Sequence, residues 1–420
     1  FKMSKQPSLF YSILPVIFLV GALFINIQIF GDSSLDGSNQ LILLFAAGFT
    51  AFLGRLKGVK TDKLWKGVQN TVQDSTKAII ILLMVGALTG SWMVSGIIPT
   101  LIIFGLKILT PSIFLPATVI VCSLISLATG SSWGTTATIG VALMGVGQSL
   151  GFSPAWVAGA VISGAYFGDK MSPMSDTTNL ASAMAGAELT KHIKYLFLTS
   201  GPSIIITLII FTFIGLGFDS AVQLSDINNL SSELSNRFYI SSWLLLIPLL
   251  SISLISFKMD PVAAMGIGSL MGSMAAFFFQ PDIINEIGGS SGFEGSYKGI
   301  IQSLYGSVNI EMKNPLLDSL IQTKGMKGML GTIWLVVCAL TFGGVLEASN
   351  FLRTITEAFL AFGNGAASLI ASVLVTCGFI NITAADQYLA IVVPGRMYRT
   401  AFKKRNLAPE NLSRALEDSG

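Results

Sequence analysis

Charged side chains are scarce in this chain of 420 residues, of which only 11% are Asp, Glu, Lys or Arg. A soluble globular domain carries about 25% charged residues, so the composition excludes that class. Apolar residues make up 52% of the chain. They form continuous runs rather than an alternation of apolar and polar residues, and such runs are typical of membrane-spanning helices. We therefore predict an all-α polytopic membrane protein.

Histidine and cysteine are also rare. The single histidine, His192, lies in the segment KHIKY, which we interpret as an interfacial position. The three cysteines, Cys122, Cys338 and Cys377, lie inside apolar segments, as small buried side chains do. The sequence therefore shows no disulfide framework, no Cys/His cluster for a transition metal and no nucleophile with a base and an orienting group. We expect no cofactor and no enzymatic activity, and the net charge of +3 does not indicate a nucleic-acid partner.

Long apolar runs predict the membrane spans. Uninterrupted runs occur at 8–30, 39–55, 78–95, 97–109, 195–218, 238–257, 261–280, 329–347 and 350–362. Shorter or interrupted segments occur at 113–149, 154–190, 366–400 and 408–420. The first run is too long for the apolar part of a signal peptide and lacks a cleavage site, so we expect it to remain as a helix.

Loop charges predict the orientation. Basic residues concentrate at 55–67, 191–194 and 396–405, whereas the loops at 31–38 and 219–233 carry only acidic charges. Since basic loops stay in the cytoplasm, the acidic loops should face outside. This assignment needs 113–149 and 366–400 to cross the membrane once each, as broken helices. The stretch 281–328 then becomes an extracytoplasmic insertion, which lies along the surface or forms a plain loop.

The two halves of the chain resemble each other at a fixed offset. A shift of 255 residues aligns Cys122 with Cys377, Gly140 with Gly395 and Pro154 with Pro409. The predicted orientation makes 78–95 run outward and 329–347 run inward, so the halves should be inverted. We predict one repeat at 1–219 and a second at 237–420. Inverted repeats with helices interrupted at matching places are typical of secondary transporters.

Polar residues interrupt both repeats. The interruptions are ATGSSWGTTATIG at 128–140 and NITAADQYLAIVVPG at 381–395. Unpaired backbone groups cost several kcal/mol each in hydrocarbon, so such a break should be buried in protein or line a cavity. Its carbonyl and hydroxyl oxygens would suit a hard cation such as Na⁺ rather than a transition metal. A plain helix-packing face of small residues is the alternative interpretation.

The stretch GAYFGDKMSPMSDTTN holds two acidic residues in apolar surroundings. Asp169 should lie at a helix C-terminus, where the helix dipole and a dry environment favour a protonated carboxyl group. Asp176 should begin the next helix and hold Na⁺. The alternatives are an Asp169–Lys170 ion pair and a simple helix cap at Asp176. We therefore predict Asp169 as the proton carrier, with possible roles for Lys170 and Glu347.

The predicted sodium ligands come from both repeats. In the first repeat they are Asp176, Thr177, Thr178, Asn179, Ser131, Ser132, Thr135 and Thr136. The second-repeat site consists of Asn381, Thr383 and Asp386.

Several motifs together resemble the NhaC-type sodium/proton antiporters: TGSSWGTTATIG, SGAYFGDKMSPMSDTTNLAS, ITAADQYLAIVVPGRMY and LEDSG. The resemblance covers nearly the whole chain. It implies Na⁺/H⁺ exchange in a bacterial cytoplasmic membrane, by a homodimer with a moving transport domain. The same family includes antiporters that exchange malate for lactate with Na⁺ and H⁺. Members continue beyond the EDSG motif, so we expect the natural protein to extend by roughly 35–50 residues, enough for a polar break and one more span.

Two other functions use the same features. A Na⁺-coupled exchanger of small organic anions would need a positive site, which helix N-termini or Lys170 could supply. A channel would not need paired carboxylates or an inverted repeat, and flux with and without a counter-gradient distinguishes it from an exchanger.

Overall fold

A computed structural model describes residues 7–108, 110–218, 224–314, 317–318, 321–361, 365–384 and 387–419. Almost all of this described part is helical, which confirms the all-α prediction. Seven of the described helices are long and apolar enough to cross a membrane. An eighth span results if the helices Asn229–Arg237 and Ser242–Ser256, bent by 87° at their junction, count as one. The chain is therefore a membrane protein with several spans.

The helices follow one another with short connections. In the first part of the chain they are α1 (Leu9–Phe30), α2 (Ser38–Leu56), α3 (Thr61–Asp74), α4 (Thr76–Val94), α5 (Ile97–Ile108), α6 (Pro111–Thr129), α7 (Ser132–Thr135), α8 (Val141–Ser149), α9 (Pro154–Met171), α10 (Asp176–Ala185) and α11 (Leu189–Leu216). In the second part they are α12 (Leu224–Arg237), α13 (Leu246–Ser256), α14 (Pro261–Phe279), α15 (Pro281–Gly288), α16 (Gly292–Tyr305), α17 (Gly325–Ala348), α18 (Phe351–Ala361), α19 (Ala366–Ala384), α20 (Gln387–Lys404) and α21 (Pro409–Ser419).

Three predicted segments differ in detail from the structure. The run at 238–257 begins with a 3₁₀ turn at Ser242–Leu245 before α13. The stretch 281–328 is not a plain loop, because α15 and α16 occupy its first half and pack together. The segment 113–149 is predicted to cross the membrane once as a broken helix. The structure shows that α6 alone, with 19 residues, is long enough to cross. The break therefore follows a helix of full membrane length.

Residue contacts divide the chain into two compact units. Unit 1 contains Phe1–Ile79, Thr177–Leu196 and Gly331–Gly420, and unit 2 contains Ile80–Asp176 and Phe197–Leu330. The core of unit 2 is built around large side chains such as Trp92, Ile102 and Phe114. Unit 1 has one apolar cluster around Phe342 and another around Tyr398. Each unit combines segments of both predicted repeats, so this division is not the predicted division at 219 and 237.

Helix boundaries recur along the chain at the predicted offset of 255 residues. Adding that offset to Pro111, where α6 begins, gives Ala366, where α19 begins. Adding it to Ser149, where α8 ends, gives Lys404, where α20 ends. Both α9 and α21 begin with proline, again at this spacing. The recurrence supports a repeat, whereas the inverted orientation of its two copies stays a prediction.

The orientation can be tested by labelling single cysteines with a thiol reagent that does not cross membranes. We expect Asp36→Cys to react in intact cells, whereas Lys63→Cys and Arg399→Cys should react only after the membrane is opened. The background variant should lack the three native cysteines, which are all buried. Labelling of Arg399→Cys in intact cells would contradict the proposed orientation of 366–400.

Candidate functional site

The break in the first repeat begins at Gly130, where α6 ends. Its φ angle of +66° lies in the left-handed region, which favours glycine. A Cβ atom at this position would lie 2.6 Å from the carbonyl carbon of Met174. Ser131 is extended, and its hydroxyl accepts a hydrogen bond from the Gly134 N–H at 3.0 Å, which caps the short helix α7. The predicted interruption is thus confirmed, and Gly130 allows its close approach to the 172–175 loop.

The chain then continues as a π-helical turn over Thr136–Gly140. Such turns often occur at functional positions in helices. The hydroxyl of Thr136 donates to the Ser132 carbonyl at 2.8 Å, and that of Thr138 donates to the Gly134 carbonyl at 2.7 Å. The hydroxyl oxygens of Thr129 and Thr135 are 3.5 Å apart, and Thr135 is completely buried. Hydroxyl groups therefore line the break on both sides of α7.

Asp169 is held directly against this break. It lies in the last turn of α9, and its Oδ2 accepts hydrogen bonds from the Ser132 backbone N–H at 3.2 Å and the Ser132 hydroxyl at 2.8 Å. Its Oδ1 is buried and has no hydrogen-bond partner among the described residues. A buried oxygen of this kind is costly when the carboxylate is ionised, unless a proton or a cation binds it. The structure thus brings together the predicted residues Asp169 and Ser132.

Close packing between α6 and α9 fixes the position of Asp169. A Cβ atom at Gly168 would lie 2.2 Å from the Ser123 carbonyl oxygen, so only glycine allows the two backbones to approach this closely. The hydroxyl of Ser126 on α6 donates to the Ala165 carbonyl on α9 at 2.6 Å. Both contacts lie within five residues of Asp169. The carboxylate is therefore carried by a rigid pair of helices rather than by a mobile loop.

Polar groups also meet in unit 1, around the end of α21. The hydroxyl of Thr177 donates to Oε1 of Glu417 at 2.9 Å, and the side-chain amide of Asn381 donates to the Ser419 carbonyl at 2.8 Å. Thr177 and Asn381 are predicted site residues, whereas Glu417 was not predicted as one. No pattern in the sequence singles out Glu417, because it lies in the polar segment RALEDSG and becomes buried only when α21 packs against α19 and α20.

The other predicted site residues have mixed environments. Thr178 is buried, whereas Asp176 and Asn179 are exposed in the first turn of α10. The role of Asp176 as a sodium ligand therefore stays a prediction. Lys170 is half-buried in the last turn of α9. The side chain of Thr383 and the whole of Asp386 lie outside the part of the chain that the structure describes.

The location of His192 at a membrane interface stays a prediction, but its side chain is not exposed. We interpreted His192 as an interfacial residue because lysines stand on both sides of it. The structure buries this side chain completely, since the helix turns it away from the exposed Lys191.

A basic cleft of about 750 Å³ lies within unit 1. The charged side chains that line it are Lys63, Lys66, Arg353, Arg396, Glu347 and Glu357. Arg353 forms an ion pair with Glu357 at 2.8 Å. The four basic residues exceed the two acidic ones, so the cleft favours anions. The predicted residue Glu347 is exposed in this cleft rather than placed in a helix break.

Comparisons with known proteins agree on one family. The model of the Na⁺/H⁺ antiporter family matches residues 164–420. The chain is 36% identical over 378 residues to the Na⁺/H⁺ antiporter NhaC of Alkalihalophilus pseudofirmus, an alignment that covers 90% of this chain and 78% of the relative. It is 33% identical to the malate-2H⁺/Na⁺-lactate antiporter of Bacillus subtilis, with 99% and 85% covered. It is 31% identical to the arginine/ornithine antiporter ArcD of Halobacterium salinarum, with 100% and 84% covered.

Proposed function

Since the chain belongs to the Na⁺/H⁺ antiporter family, we propose that it exchanges Na⁺ for H⁺ across the membrane and that Asp169 carries the proton. The observation that supports this role is the buried Oδ1 atom of Asp169, which has no hydrogen-bond partner among the described residues. The family consists of transporters, which agrees with the expectation that the chain is not an enzyme.

The exchange follows from competition at one carboxylate. With a proton on Oδ1, Asp169 is neutral, and Ser132 continues to donate its hydrogen bonds to Oδ2. When the proton leaves, the negative charge attracts Na⁺, and the hydroxyl oxygens of the break can serve as further ligands. A proton and Na⁺ then exclude each other, because each compensates the same buried charge. Such exclusion couples the two ion gradients.

We further propose that the protein works in the bacterial cytoplasmic membrane, as a homodimer surrounded by membrane lipids. Both properties are implied by the resemblance to the family. Fractionation of cell membranes tests the location, and mass measurement of the purified protein in detergent tests the homodimer.

Transport in proteoliposomes tests the proposed function. An outward Na⁺ gradient should drive protons into vesicles that contain the protein, and a pH-sensitive dye inside the vesicles should report the acidification. Li⁺ and K⁺ at the same ionic strength show the cation selectivity. Proton movement that is independent of the Na⁺ gradient would contradict exchange, and a conductance that persists without any counter-ion would indicate a channel.

The basic cleft of unit 1 favours a second candidate function, exchange of small organic anions together with Na⁺ and H⁺. One of the relatives named above is an antiporter of malate and lactate, which are small organic anions. If this function holds, the double variant Lys63→Gln/Lys66→Gln should lower malate uptake, because it removes two positive charges from the cleft. Cation exchange in the same vesicles serves as the internal control. Equal malate uptake by vesicles with and without the protein would exclude this second candidate.

A further inference from the structure

Glu417 differs from every other charged residue whose side chain the structure describes. It is the one Asp, Glu, Lys or Arg among them that is completely buried, with an exposure of 0%. Polar residues that can ionise are rare inside membrane proteins and generally serve transport or binding. The exchange proposed above uses Asp169 and leaves Glu417 without a role.

The surroundings of Glu417 are defined by three helices of unit 1. Its own helix, α21, packs against α19 and α20, and buries Leu412 and Leu416 beside it. The hydroxyl of Thr177 reaches Oε1 from the first turn of α10. The Asn381–Ser419 hydrogen bond ties the last turn of α21 to α19. This hydrogen bond fixes the position of the last turn of α21, and with it the Glu417 side chain, among the packed helices.

The titratable and charged groups on these elements are few. On α19 and α20 the buried ones are Cys377 and Tyr398, and the hydroxyl of Tyr398 is hydrogen-bonded to Thr376 at 2.9 Å. The exposed or half-buried ones are Arg396, Arg399, Lys403 and Lys404 on α20, Glu410, Arg414 and Asp418 on α21, and Asp176 on α10. The guanidinium of Arg399 lies against Gly186, beyond the opposite end of α10 from Thr177.

The chemistry of the pair suits a hard monovalent cation. A carboxylate and a hydroxyl supply oxygen ligands, which Na⁺ prefers to nitrogen or sulfur. The Thr177 hydroxyl donates to Glu417 in the structure, and its lone pairs can instead face a cation when its proton rotates away. The burial of a carboxylate costs several kcal/mol, and a bound cation or proton at this position would offset that cost.

We propose that Glu417 and Thr177 form a second cation-binding site, at which Na⁺ and H⁺ compete for the Glu417 carboxylate. The proposal rests on the proposed Na⁺/H⁺ exchange and adds a carboxylate in unit 1 to the one in unit 2. Both sites combine an acidic side chain near the end of a helix with a hydroxyl donor, Ser132 for Asp169 and Thr177 for Glu417.

Binding of radioactive Na⁺ to the purified full chain tests this site. We expect Glu417→Gln to raise the Na⁺ concentration for half-saturation at least 10-fold or to remove one bound Na⁺ per chain, since an amide cannot compensate a buried cation. Thr177→Val should weaken binding several-fold, whereas Thr177→Ser should keep it. Glu410→Gln is the matched control, because it makes the same chemical change on the same helix at a position that is not completely buried.

The outcomes separate this inference from the proposed function. If the wild-type protein exchanges Na⁺ for H⁺ and Glu417→Gln binds Na⁺ as the wild type does, the second site is refuted and Glu417 is structural. If the wild-type protein shows no exchange, the proposed function itself fails. The thermal unfolding midpoint in K⁺ reports whether Glu417→Gln folds. Should it not fold, the pair Thr177→Val and Thr177→Ser decides, and equal Na⁺ binding by these two variants would overturn the site.

Discussion

Replacement of Asp169 by asparagine is expected to lower Na⁺-driven proton movement at least 100-fold. Asparagine has nearly the shape of aspartate, and its amide oxygen can still accept the hydrogen bonds that Ser132 donates to Oδ2. The amide carries no exchangeable acid proton and no negative charge, so competition between H⁺ and Na⁺ at this position ends. We therefore expect Na⁺ binding to lose the part of its pH dependence that comes from this carboxylate, and the part that remains should disappear when Glu417→Gln is added.

Two further variants serve as controls for Asp169→Asn. Asp282→Asn makes the same chemical change at an exposed position of α15 and should exchange ions as the wild type does. Ser132→Ala removes the hydroxyl donor but keeps the backbone N–H donor to Asp169. Its effect should be intermediate, roughly 10-fold, since the backbone donor remains and the loss of one hydrogen bond to a charged group costs about 1.5 kcal/mol at the low end of its range. Full pH dependence in Asp169→Asn would place the proton elsewhere, and Asp386 and Glu417 would be the next candidates.

Asp176→Asn tests the other half of the predicted site. If Asp176 holds Na⁺, this variant should lose Na⁺ binding at this site, because an amide cannot offset the desolvation of a bound cation. The structure leaves the Asp176 carboxylate exposed in the first turn of α10. Na⁺ binding at wild-type affinity in Asp176→Asn would show that the residue only stabilises the helix N-terminus.

The sequence predicts the framework of this fold well, for a simple physical reason. Helix lengths and the break at 128–140 follow from local composition, since long apolar runs must be helical in a membrane and a run of Gly, Ser and Thr residues replaces the aliphatic side chains at the break. The carboxylate next to the break was predictable as well, because Asp169 stands in an apolar context. Local composition does not indicate which of several acidic residues becomes buried. Glu417 lies in the polar segment RALEDSG, and only the packing of α21 against α19 and α20 removes it from water.

The same limit explains the differences at other residues. His192 has lysines on both sides in the sequence, but the helical arrangement of α11 turns it into the protein while Lys191 stays exposed. Asp169 and Asp176 stand in the same polar stretch of the sequence, yet Asp176 is exposed and Asp169 contacts Ser132. These outcomes depend on contacts between segments that are far apart in the chain. The periodicity of residues within one segment does not predict such contacts.

The second large effect is expected for Gly130→Ala, which should destabilise the break and abolish transport. Alanine at a φ of +66° costs about 1–2 kcal/mol in backbone strain. Its Cβ would also meet the Met174 carbonyl carbon at 2.6 Å, and such overpacking costs about 1–3 kcal/mol. The clash can be relieved only by moving the 172–175 loop, which directly follows the helix that carries Asp169, so ion exchange should be lost together with stability.

Gly289→Ala separates these two contributions. Gly289 has a φ of +69°, close to that of Gly130, but a Cβ atom there would meet nothing within 4 Å. This variant should therefore show the backbone strain alone, with a small decrease in the thermal unfolding midpoint and unchanged transport. The difference between the two midpoints measures the contact between Gly130 and Met174. If Gly130→Ala unfolds at the same temperature as Gly289→Ala and still exchanges ions, the break does not need its close approach to Met174, and Asp169 must be positioned by the α6–α9 packing alone.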